Sequence, residues 1–490
     1  MNNANNLRKN RIKVLLVDTV MVLSVIITVG VLLLITMGYN LTRNFKVEQQ
    51  GLVQFASYPS GADVTVDEKV MTSRTSTKTM MTPGMHDFTI SKQGYDSWSK
   101  QAEIIPGSVL WLNYARLVPT QKEITTIKNY KDISAVSSSP NSQYMLVFFD
   151  DLSLSPQLLD VKGEDVKSQG LSIKKLFSKL DNSATKHSVE VVQWSADSTK
   201  ILIKHHFGES FEWILIDTKS ISSSLNISNA YKLTFTDIEL ASDDGRKLFV
   251  LENHNLRRAD TQSKTVSAVL LENVAELSVI NKDTIVFLST EDKNGLVNIG
   301  VFKDGEKGAS TLYSVESKAA NIKVAGGRYY NKDYVVISEG SDLIIMRGTL
   351  PSFGKPSSTL AQWKEVTLDF DIEHLSMDSK RRFIMASNRQ NIYNYDLETS
   401  NGSSFQLDGA HEHPNSFNWL DDFIIYSTAD DKLTIYDFDG KNKRQVMDTE
   451  SGTDVVVTQN DKYIYAITPD LSDQSGKWSK LIRLNMIAKD

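Results

Sequence analysis

The sequence contains no cysteine among its 490 residues. This absence excludes a disulfide framework, thiolate zinc sites, iron–sulfur clusters and a cysteine nucleophile, so any extracytoplasmic part must be stabilised by packing alone. Proline and glycine are also few, with 10 and 25 residues, which excludes fibrous or linker-dominated sequence. What remains is ordinary globular composition, and its length favours two or three folded units.

Motifs of the common enzyme classes are missing as well. The sequence carries no Gly-x-Ser-x-Gly nucleophile elbow, Walker loop, dinucleotide fingerprint or His-Glu-x-x-His. We therefore predict a protein that is not an enzyme, with no catalytic residue, no cofactor and no metal. The net charge of -6 conceals an asymmetry, because residues 1–46 carry +5 and the rest carries -11. An acidic body argues against a nucleic-acid partner.

A long apolar run is present near the N-terminus. Residues 19–39 include no charged side chain and are long enough to cross about 30 Å of hydrocarbon as a helix. We predict a transmembrane helix over 14–39, an integral single-pass membrane protein. A cleaved signal peptide is the competing interpretation. The predicted anchor residues are Thr19, Val20, Leu23, Ile26, Ile27, Leu32, Leu33, Leu34 and Ile35.

Basic residues precede the apolar run and predict the topology. By the positive-inside rule, residues 1–13 form a cytoplasmic tail and the body lies outside the cell membrane. The residues on which this orientation depends are Arg8, Lys9, Arg11 and Lys13.

Residues 51–118 alternate apolar and polar side chains, with Pro-Gly and Gly turns between the runs. This pattern predicts a small antiparallel β-sandwich, assigned to 48–119. The stretches "SYPSGADVTVD" and "TPGMHDFTISKQGYDSW" resemble the signature of the PEGA family. The resemblance implies an extracytoplasmic accessory module of bacterial and archaeal surface proteins that mediates binding. Its motif residues are interpreted as a structural turn, and they are Pro59, Ser60, Gly61, Ala62, Gly94 and Tyr95.

Beyond residue 119 one theme repeats eight times: a short strand, a polar turn and a strongly apolar strand. Periods near 40 to 50 residues predict a β-propeller of seven or eight blades over 120–490. The pieces "SPNSQYMLVF" and "IYDFDGKNKRQVMD" resemble the WD40-like repeats of TolB-type propellers. The strand "KEITTI" precedes the first repeat, and the last repeat has no fourth strand. We therefore predict that residues 124–127 complete the last blade and close the ring.

Few residues of the sequence suggest a metal site or a ligand-binding surface. The stretch "DFDGKN" at 437–442 lacks the glutamate that a calcium loop needs at position 12, so we interpret it as a blade turn. His205 and His206 point to opposite faces of a strand and cannot easily share a metal. His411 and His413 would need ligands from other blades. Four tryptophans were candidates for an exposed binding surface: Trp98, Trp111, Trp363 and Trp478.

The sequence as a whole predicts a mainly β protein with a single N-terminal transmembrane helix, a PEGA-like β-sandwich and a propeller. We expect a membrane-anchored extracytoplasmic binding or scaffold protein that recognises a protein, peptide or envelope glycan, with function on the propeller face or channel. The sandwich would then be a stalk or adaptor. The alternative is a cell-surface propeller enzyme, a polysaccharide lyase or hydrolase using channel acids and His411 or His413. A sensory role is limited by the short tail.

Overall fold

The computed structural model describes residues 2–41, 47–180, 186–316, 321–355, 359–409 and 417–489. The chain divides into two compact units, residues 1–121 with 488–490, and residues 122–487. In the first unit, helix α1 is Asn2–Thr36, and the strands are β1 (Tyr39–Leu41), β2 (Val47–Gln49), β3 (Gly51–Tyr58), β4 (Asp63–Val66), β5 (Lys69–Val70), β6 (Thr77–Met81), β7 (Gly84–Ser91), β8 (Trp98–Ile104) and β9 (Val109–Arg116).

Helix α1 contains the apolar run. The stretch Leu15–Thr36 has a mean hydropathy of 2.7 and is long and apolar enough to cross a membrane, which is compatible with either an anchor or a signal sequence. Its large apolar side chains are exposed, as expected of a helix that has no protein partner for them. The helix ends at Thr36, three residues before the predicted end at Tyr39, because Gly38 adopts a left-handed φ of 83°.

Two sheets form the sandwich that follows α1. One has the order β6-β3-β9 and the other β5-β4-β7-β8. Between them lies a core that includes Phe55, Phe88 and Trp98, each with 1% exposure or less. The expectation of a purely antiparallel sandwich is wrong in one pair, because β3 and β9 run parallel. The chain enters β9 from β8 in the opposite sheet, so no hairpin constrains β9 to run antiparallel to β3.

The second unit is built of eight four-stranded antiparallel sheets along its described residues. Strand β10 (Glu123–Lys131) comes first in the chain and belongs to the last sheet. Sheet 1 contains β11 (Ile133–Ser138), β12 (Tyr144–Phe149), β13 (Gln157–Asp160) and β14 (Lys167–Gly170), and sheet 2 contains β15 (His187–Trp194), β16 (Lys200–Phe207), β17 (Ser210–Asp217) and β18 (Leu225–Asn226), followed by α2 (Ile227–Tyr231). Sheet 3 contains β19 (Asp237–Leu240), β20 (Lys247–Glu252), β21 (Asn255–Asp260) and β22 (Thr265–Val266).

The remaining sheets follow the same plan. They use in sheet 4 β23 (Val274–Asn281), β24 (Thr284–Ser289), β25 (Leu296–Lys303) and β26 (Ser310–Glu316); in sheet 5 β27 (Ile322–Tyr329), β28 (Lys332–Glu339), β29 (Asp342–Gly348) and β30 (Ala361–Thr367); in sheet 6 β31 (His374–Met377), β32 (Phe383–Ser387), β33 (Asn391–Asp396) and β34 (Asn401–Gln406); in sheet 7 β35 (Phe417–Trp419), β36 (Ile424–Ser427), β37 (Lys432–Asp437) and β38 (Arg444–Asp448); and in sheet 8 β39 (Val456–Val457), β40 (Tyr463–Pro469) and β41 (Trp478–Asn485).

Apolar cores join each sheet to the next. Buried clusters link sheets 1 to 7 in chain order, each formed by strongly apolar second and third strands. A further cluster packs Val147 of sheet 1 against Tyr465 and Leu481 of sheet 8, and sheet 7 is hydrogen-bonded to sheet 8. The sheets therefore form a closed ring, which is a β-propeller.

The repeated polar turn has a specific hydrogen-bonding role between the first and second strand of a sheet. In sheet 1, Ser139 Oγ donates to Asn141 Oδ1 (2.7 Å) and accepts from the backbone N–H of Tyr144 (2.9 Å). This arrangement satisfies backbone groups where the chain reverses. The same pairing recurs for Ser195 with Asp197, Ser242 with Asp244, and Thr458 with Asn460.

The predicted closure of the ring is confirmed. Strand β10 pairs with β41 and completes sheet 8 in the order β10-β41-β40-β39. Glu123 lies opposite Asn485, and the side chains of these two residues are hydrogen-bonded at 3.2 Å. The strand is longer than predicted, Glu123–Lys131, and its Tyr130 is buried in the cluster shared by sheets 1 and 8.

This pairing can be tested by a disulfide, because the chain has no cysteine of its own. Opposite residues of an antiparallel pair have Cα atoms about 5 Å apart, within the range that a disulfide spans. We expect E123C/N485C to form a bridge under mild oxidation, seen as faster, reductant-sensitive migration on a non-reducing gel. The control E123C/K480C places the partner about 17 Å further along β41. Equal bridging in both variants, or none in the first, would contradict the register.

Candidate functional site

A polar cavity of about 560 Å³ lies at the centre of the ring. It is lined by first strands of sheets 1, 2, 6 and 7, by residues at the start of sheet 8, and by the turns that follow these first strands. Serine hydroxyls, Gln193 and Asn418 supply much of the lining, together with Trp194 and Trp419. Convergent polar groups with aromatic neighbours are typical of ligand sites of this size.

Two of the carboxylates that line the cavity are held by their own turns. Asp378 accepts the backbone N–H groups of Phe383 (2.6 Å) and Lys380 (3.0 Å), and burial raises the pKa of its carboxyl. Asp421 accepts those of Phe423 (2.7 Å) and Ile424 (2.8 Å). These side chains stabilise the turn between the first and second strands, so they are structural acceptors.

Asp454 links three sheets. One carboxylate oxygen accepts the backbone N–H (2.8 Å) and the hydroxyl (3.1 Å) of Ser138 in sheet 1. The other accepts the buried hydroxyl of Tyr426 in sheet 7, at 3.0 Å. Burial raises the pKa of Asp454, although these hydrogen bonds act in the opposite direction. The residue therefore ties sheet 8 to both of its neighbours beside the cavity.

A second group of charged residues connects sheets 3 and 6, because Glu239 on the first strand of sheet 3 interacts electrostatically with Arg381 in a turn of sheet 6. Burial, followed by the neighbouring carboxylate of Asp237, raises the pKa of Glu239 to about 7, while a hydrogen bond from Gln193 acts against this. The side chain of Glu239 is only partly exposed. A carboxyl group with a pKa near neutral pH can both give and accept a proton, so it is a candidate general acid or base.

Arg381 reaches this group from the turn of sheet 6. Its side chain lies against Gly327 of sheet 5, where an added Cβ would be 3.0 Å from the Arg381 Cδ. Burial lowers the pKa of Arg381, and Asp378 and Glu239 oppose this shift. Its guanidinium makes no hydrogen bond to a residue within the described ranges. Arg381 and Glu239 were missed from sequence, because turns and first strands of different sheets meet only in the closed ring.

His205 belongs to a buried chain of hydrogen bonds in sheet 2. Its Nδ1 is 2.8 Å from Glu212 Oε1, and its Nε2 is 3.0 Å from His187 Nδ1. Glu212 also accepts from the Ser178 N–H (2.7 Å) and the Asn226 amide (2.7 Å). Burial alone would raise the pKa of Glu212, but these hydrogen bonds outweigh it and lower the pKa to about 2.

His187 ends this chain. Burial, followed by the neighbouring His205, lowers the pKa of His187 below its usual 6.5. Its Nε2 is buried and has no hydrogen-bond partner in the part of the chain that the structure describes. Glu212, His205 and His187 therefore form a structural network that favours neutral imidazole at His187.

The other histidine candidates divide between the described and undescribed residues. His206 lies on the opposite side of its strand from the fully buried His205 and is 3.4 Å from Glu190 Oε2. His411 and His413 lie outside the described residues. Within the described ranges, no group of three or more histidine, aspartate or glutamate side chains could hold a metal ion.

The candidate tryptophans and the aspartate-rich turn occupy different environments. Trp98 is buried, Trp363 is partly buried, and Trp111 and Trp478 are exposed to 38% and 41%. The stretch 437–442 connects β37 to β38, and its Asn442 amide donates to the buried Asp437 carboxylate at 2.8 Å. This confirms the interpretation as a turn between the third and fourth strands.

The PEGA motif residues lie at the β3–β4 turn and near Gly94. The backbone N–H of Gly61 donates to Thr75 O (2.7 Å), and that of Ala62 donates to Thr75 Oγ1 (2.9 Å). Gly61 and Gly94 have φ values of 77° and 82°, where a side chain would be strained. Pro59 and Ser60 lie in the same turn, and Tyr95 forms a β-bridge with Pro119.

The anchor and topology residues all lie on α1. Thr19 directs its hydroxyl to the backbone oxygen of Leu15 at 2.7 Å, which removes a polar group from the apolar surface. Lys13 is exposed two residues before the apolar stretch Leu15–Thr36.

Comparison with known proteins identifies one domain. Residues 51–121 match the PEGA domain family, which confirms the resemblance seen at 51–118. No curated protein matches the chain in sequence.

Similar solved structures include three described here. An oligogalacturonate lyase in complex with manganese has 12% identity and a TM-score of 0.41, covering 75% of this chain and 99% of that one. The β-propeller domain of Cps50 (Swd1) from Myceliophteria thermophila has 11% identity and a TM-score of 0.40, covering 67% and 100%. Dipeptidyl peptidase 4 of Porphyromonas gingivalis has 10% identity and a TM-score of 0.44, covering 69% and 56%. The propeller assignment rests on the ring of sheets itself.

The lowered pKa of Glu212 predicts an acid-sensitive propeller. The contribution of Glu212 is complete above its ordinary pKa of 4.5 and is lost as pH falls towards about 2, and it amounts to about 3 kcal/mol at neutral pH. Charging of His187 below pH 6.5 acts in the same direction. We expect E212Q to lower the unfolding temperature at pH 7 and to flatten its decline between pH 5 and 3.

Circular dichroism of the full chain in detergent measures this effect. The matched control is E209Q, at an exposed glutamate in the adjacent turn, and it should keep the wild-type profile. An E212Q profile parallel to that of the wild type would show that Glu212 does not carry the acid sensitivity.

Proposed function

We propose that this chain is a membrane-anchored extracytoplasmic binding protein whose propeller recognises a polar ligand at its central cavity. The observation that carries the proposal is the cavity of about 560 Å³ at which five sheets converge. A pocket of this volume is large enough for a short peptide or a small oligosaccharide. Both classes are components of the cell envelope.

The chemistry of the lining favours a neutral or cationic ligand. Ser376, Ser379 and Asn418 are exposed at the cavity and offer hydroxyl and amide groups that bind sugar hydroxyls or peptide amides. Trp194 and Trp419 provide apolar surface beside them. The aspartates of the turns make the surroundings acidic, which disfavours an anion.

The location in the proposal rests on α1 and on the PEGA match. An apolar stretch of 22 residues, Leu15–Thr36, is long enough to hold the chain in a bilayer. Arg8, Lys9, Arg11 and Lys13 precede it and favour a cytoplasmic N-terminus, with the sandwich and propeller on the other side of the cell membrane.

A second candidate function is an enzyme that acts on polysaccharides at the cell surface. It is favoured by Glu239, because burial and Asp237 place the pKa of Glu239 at about 7 beside the channel. Gln193 and Arg381 would be available to position a substrate. The carboxylates of Asp378, Asp421 and Asp454 are engaged in structural hydrogen bonds, which favours binding over catalysis.

Blocking the cavity tests the binding proposal. The probes are soluble peptidoglycan fragments with and without their stem peptides, titrated against the detergent-solubilised full chain by calorimetry. We expect one class to bind and S376R to weaken it by about tenfold or more, because arginine would fill the cavity. The matched control S263R lies on an exposed turn of sheet 3 and should bind normally. Failure of both probes to bind, or equal binding by S376R, would contradict the proposal.

Measurement of product formation distinguishes the enzymatic candidate function from the binding function. The chain is incubated with the same fragments and with a neutral and a uronate-containing polysaccharide, and the products are analysed by mass spectrometry. An enzyme should release products that E239Q reduces by about a hundredfold, without loss of binding. The control E209Q changes an exposed glutamate in the turn between β16 and β17 and should remain active. The absence of any product from the wild-type chain would reject the enzymatic alternative for these substrates.

A further inference from the structure

Two Pro-Gly turns lie side by side at one end of the sandwich. Residues 82–83 connect β6 to β7, which begins at Gly84, and residues 105–108 connect β8 to β9. Gly84 pairs with Ile104 across β7 and β8, so the two turns are neighbours. A large apolar side chain is exposed beside each turn, since Met85, the second residue of β7, is 59% exposed and Ile105, in the second turn, is 58% exposed. Exposed apolar side chains that lie close together can form an interaction surface.

These turns lie next to the end of helix α1. The backbone N–H of Gln50 donates to Gly38 O (2.8 Å), and the N–H of Gly107 donates to Gln50 O (3.0 Å). The side-chain amide of Gln49 donates to Met37 O at 3.0 Å. Two hydrogen bonds and one residue therefore separate Gly38, two residues beyond the end of α1, from the turn at 105–108, a distance of about 10 Å at most.

Exposed apolar side chains also lie at this end on the outer face of the three-stranded sheet, across the sandwich from Met85. Met80 of β6 contacts Gly38, where an added Cβ would be 2.9 Å from the Met80 Cε. Met80 and Val109 both flank Leu52 in the register of the three-stranded sheet, and they are 41% and 42% exposed. Trp111 follows on the same strand with 38% exposure. Tryptophan is the residue that membrane interfaces favour most clearly, together with tyrosine.

We propose that this end of the sandwich, with the exposed side chains of Met80, Met85, Ile105, Val109 and Trp111 around it, lies in the lipid headgroup region of the bilayer that α1 spans. The inference rests on the membrane anchor of the proposed function. The interfacial region is about 5 to 8 Å deep on each side of the hydrocarbon. If Thr36 marks the hydrocarbon boundary, an apolar side chain whose backbone lies within about 10 Å of the helix end reaches this region when it points back towards the helix, because the side chain itself extends several ångströms from the backbone.

Charged neighbours limit the depth of insertion. Glu103 lies opposite Met85, and Glu48 lies on β2 beside the helix end, and both side chains are exposed. Carboxylates remain hydrated among headgroups but are costly in hydrocarbon. The contact is therefore shallow: apolar tips enter the interface while the rest of the sandwich stays in water. Such contact would restrict rotation of the sandwich about the point where α1 leaves the bilayer.

Site-specific labels can measure this contact in the full chain, because the protein has no native cysteine. The variants M85C, I105C, V70C and I26C are labelled with an environment-sensitive fluorophore and reconstituted into phosphatidylcholine–phosphatidylglycerol vesicles. Quenching is compared between lipids that carry a doxyl group near the headgroup and lipids that carry it deep in the acyl chain. We expect labels at 85 and 105 to be quenched by the shallow probe about twofold or more above the label at 70.

The labels at residues 70 and 26 distinguish a failure of the proposed interfacial contact from a failure of the membrane anchor. Val70 is 70% exposed but pairs through Thr65 with Thr89, five residues along β7 from Gly84, so it reports an apolar site away from this end of the sandwich. Residue 26 lies in the middle of the apolar stretch and should be quenched by the deep probe. Quenching at 26 with labels at 85 and 105 no different from 70 would overturn this inference and leave the anchor intact. No quenching at 26 would overturn the anchor itself.

Discussion

The second unit depends on the pairing of its first strand with its last sheet. Strand β10 lies next to β41, so residues at opposite ends of the unit occupy one sheet, and no edge of β41 is left open for another chain. This pairing brings sheets 1 and 8 together, and Val147, Tyr465 and Leu481 then bury one another. The cavity exists only because the ring is closed, since sheets 1 and 8 contribute two of its walls.

The same polar side chains that shape the turns also determine what the cavity can do. Asp378 and Asp421 accept backbone N–H groups, and Asp454 joins sheets 7, 8 and 1. A carboxylate whose oxygens already accept hydrogen bonds is poorly suited to proton transfer, so these aspartates stabilise the turns and the ring. Glu239 is different, because burial and the neighbouring Asp237 raise the pKa of its carboxyl to about 7.

Helix α1 and the sandwich form a unit in which the backbone of the linker is hydrogen-bonded to both. Gly38, Gln50 and Gly107 connect the helix end to the base of the sandwich through successive hydrogen bonds. A flexible tether would let the sandwich move freely above a membrane, whereas this arrangement brings its Pro-Gly turns to the level of the helix end. Under the proposed membrane anchorage, the exposed side chains of Met85 and Ile105 would face the lipid surface.

Local signals were sufficient for the element types of this protein. Apolar length predicted α1, period-two alternation predicted the strands of 51–118, and the spacing of polar turns predicted the propeller, because each of these depends on near neighbours in the chain. Contacts between distant residues were decided only by the tertiary structure. The parallel pairing of β3 with β9, the chain from Glu212 through His205 to His187, and the approach of Arg381 to Glu239 each join residues from different strands or sheets. No local pattern encodes these contacts, since the environment that shifts a pKa or opens a cavity forms only when the sheets pack around one axis.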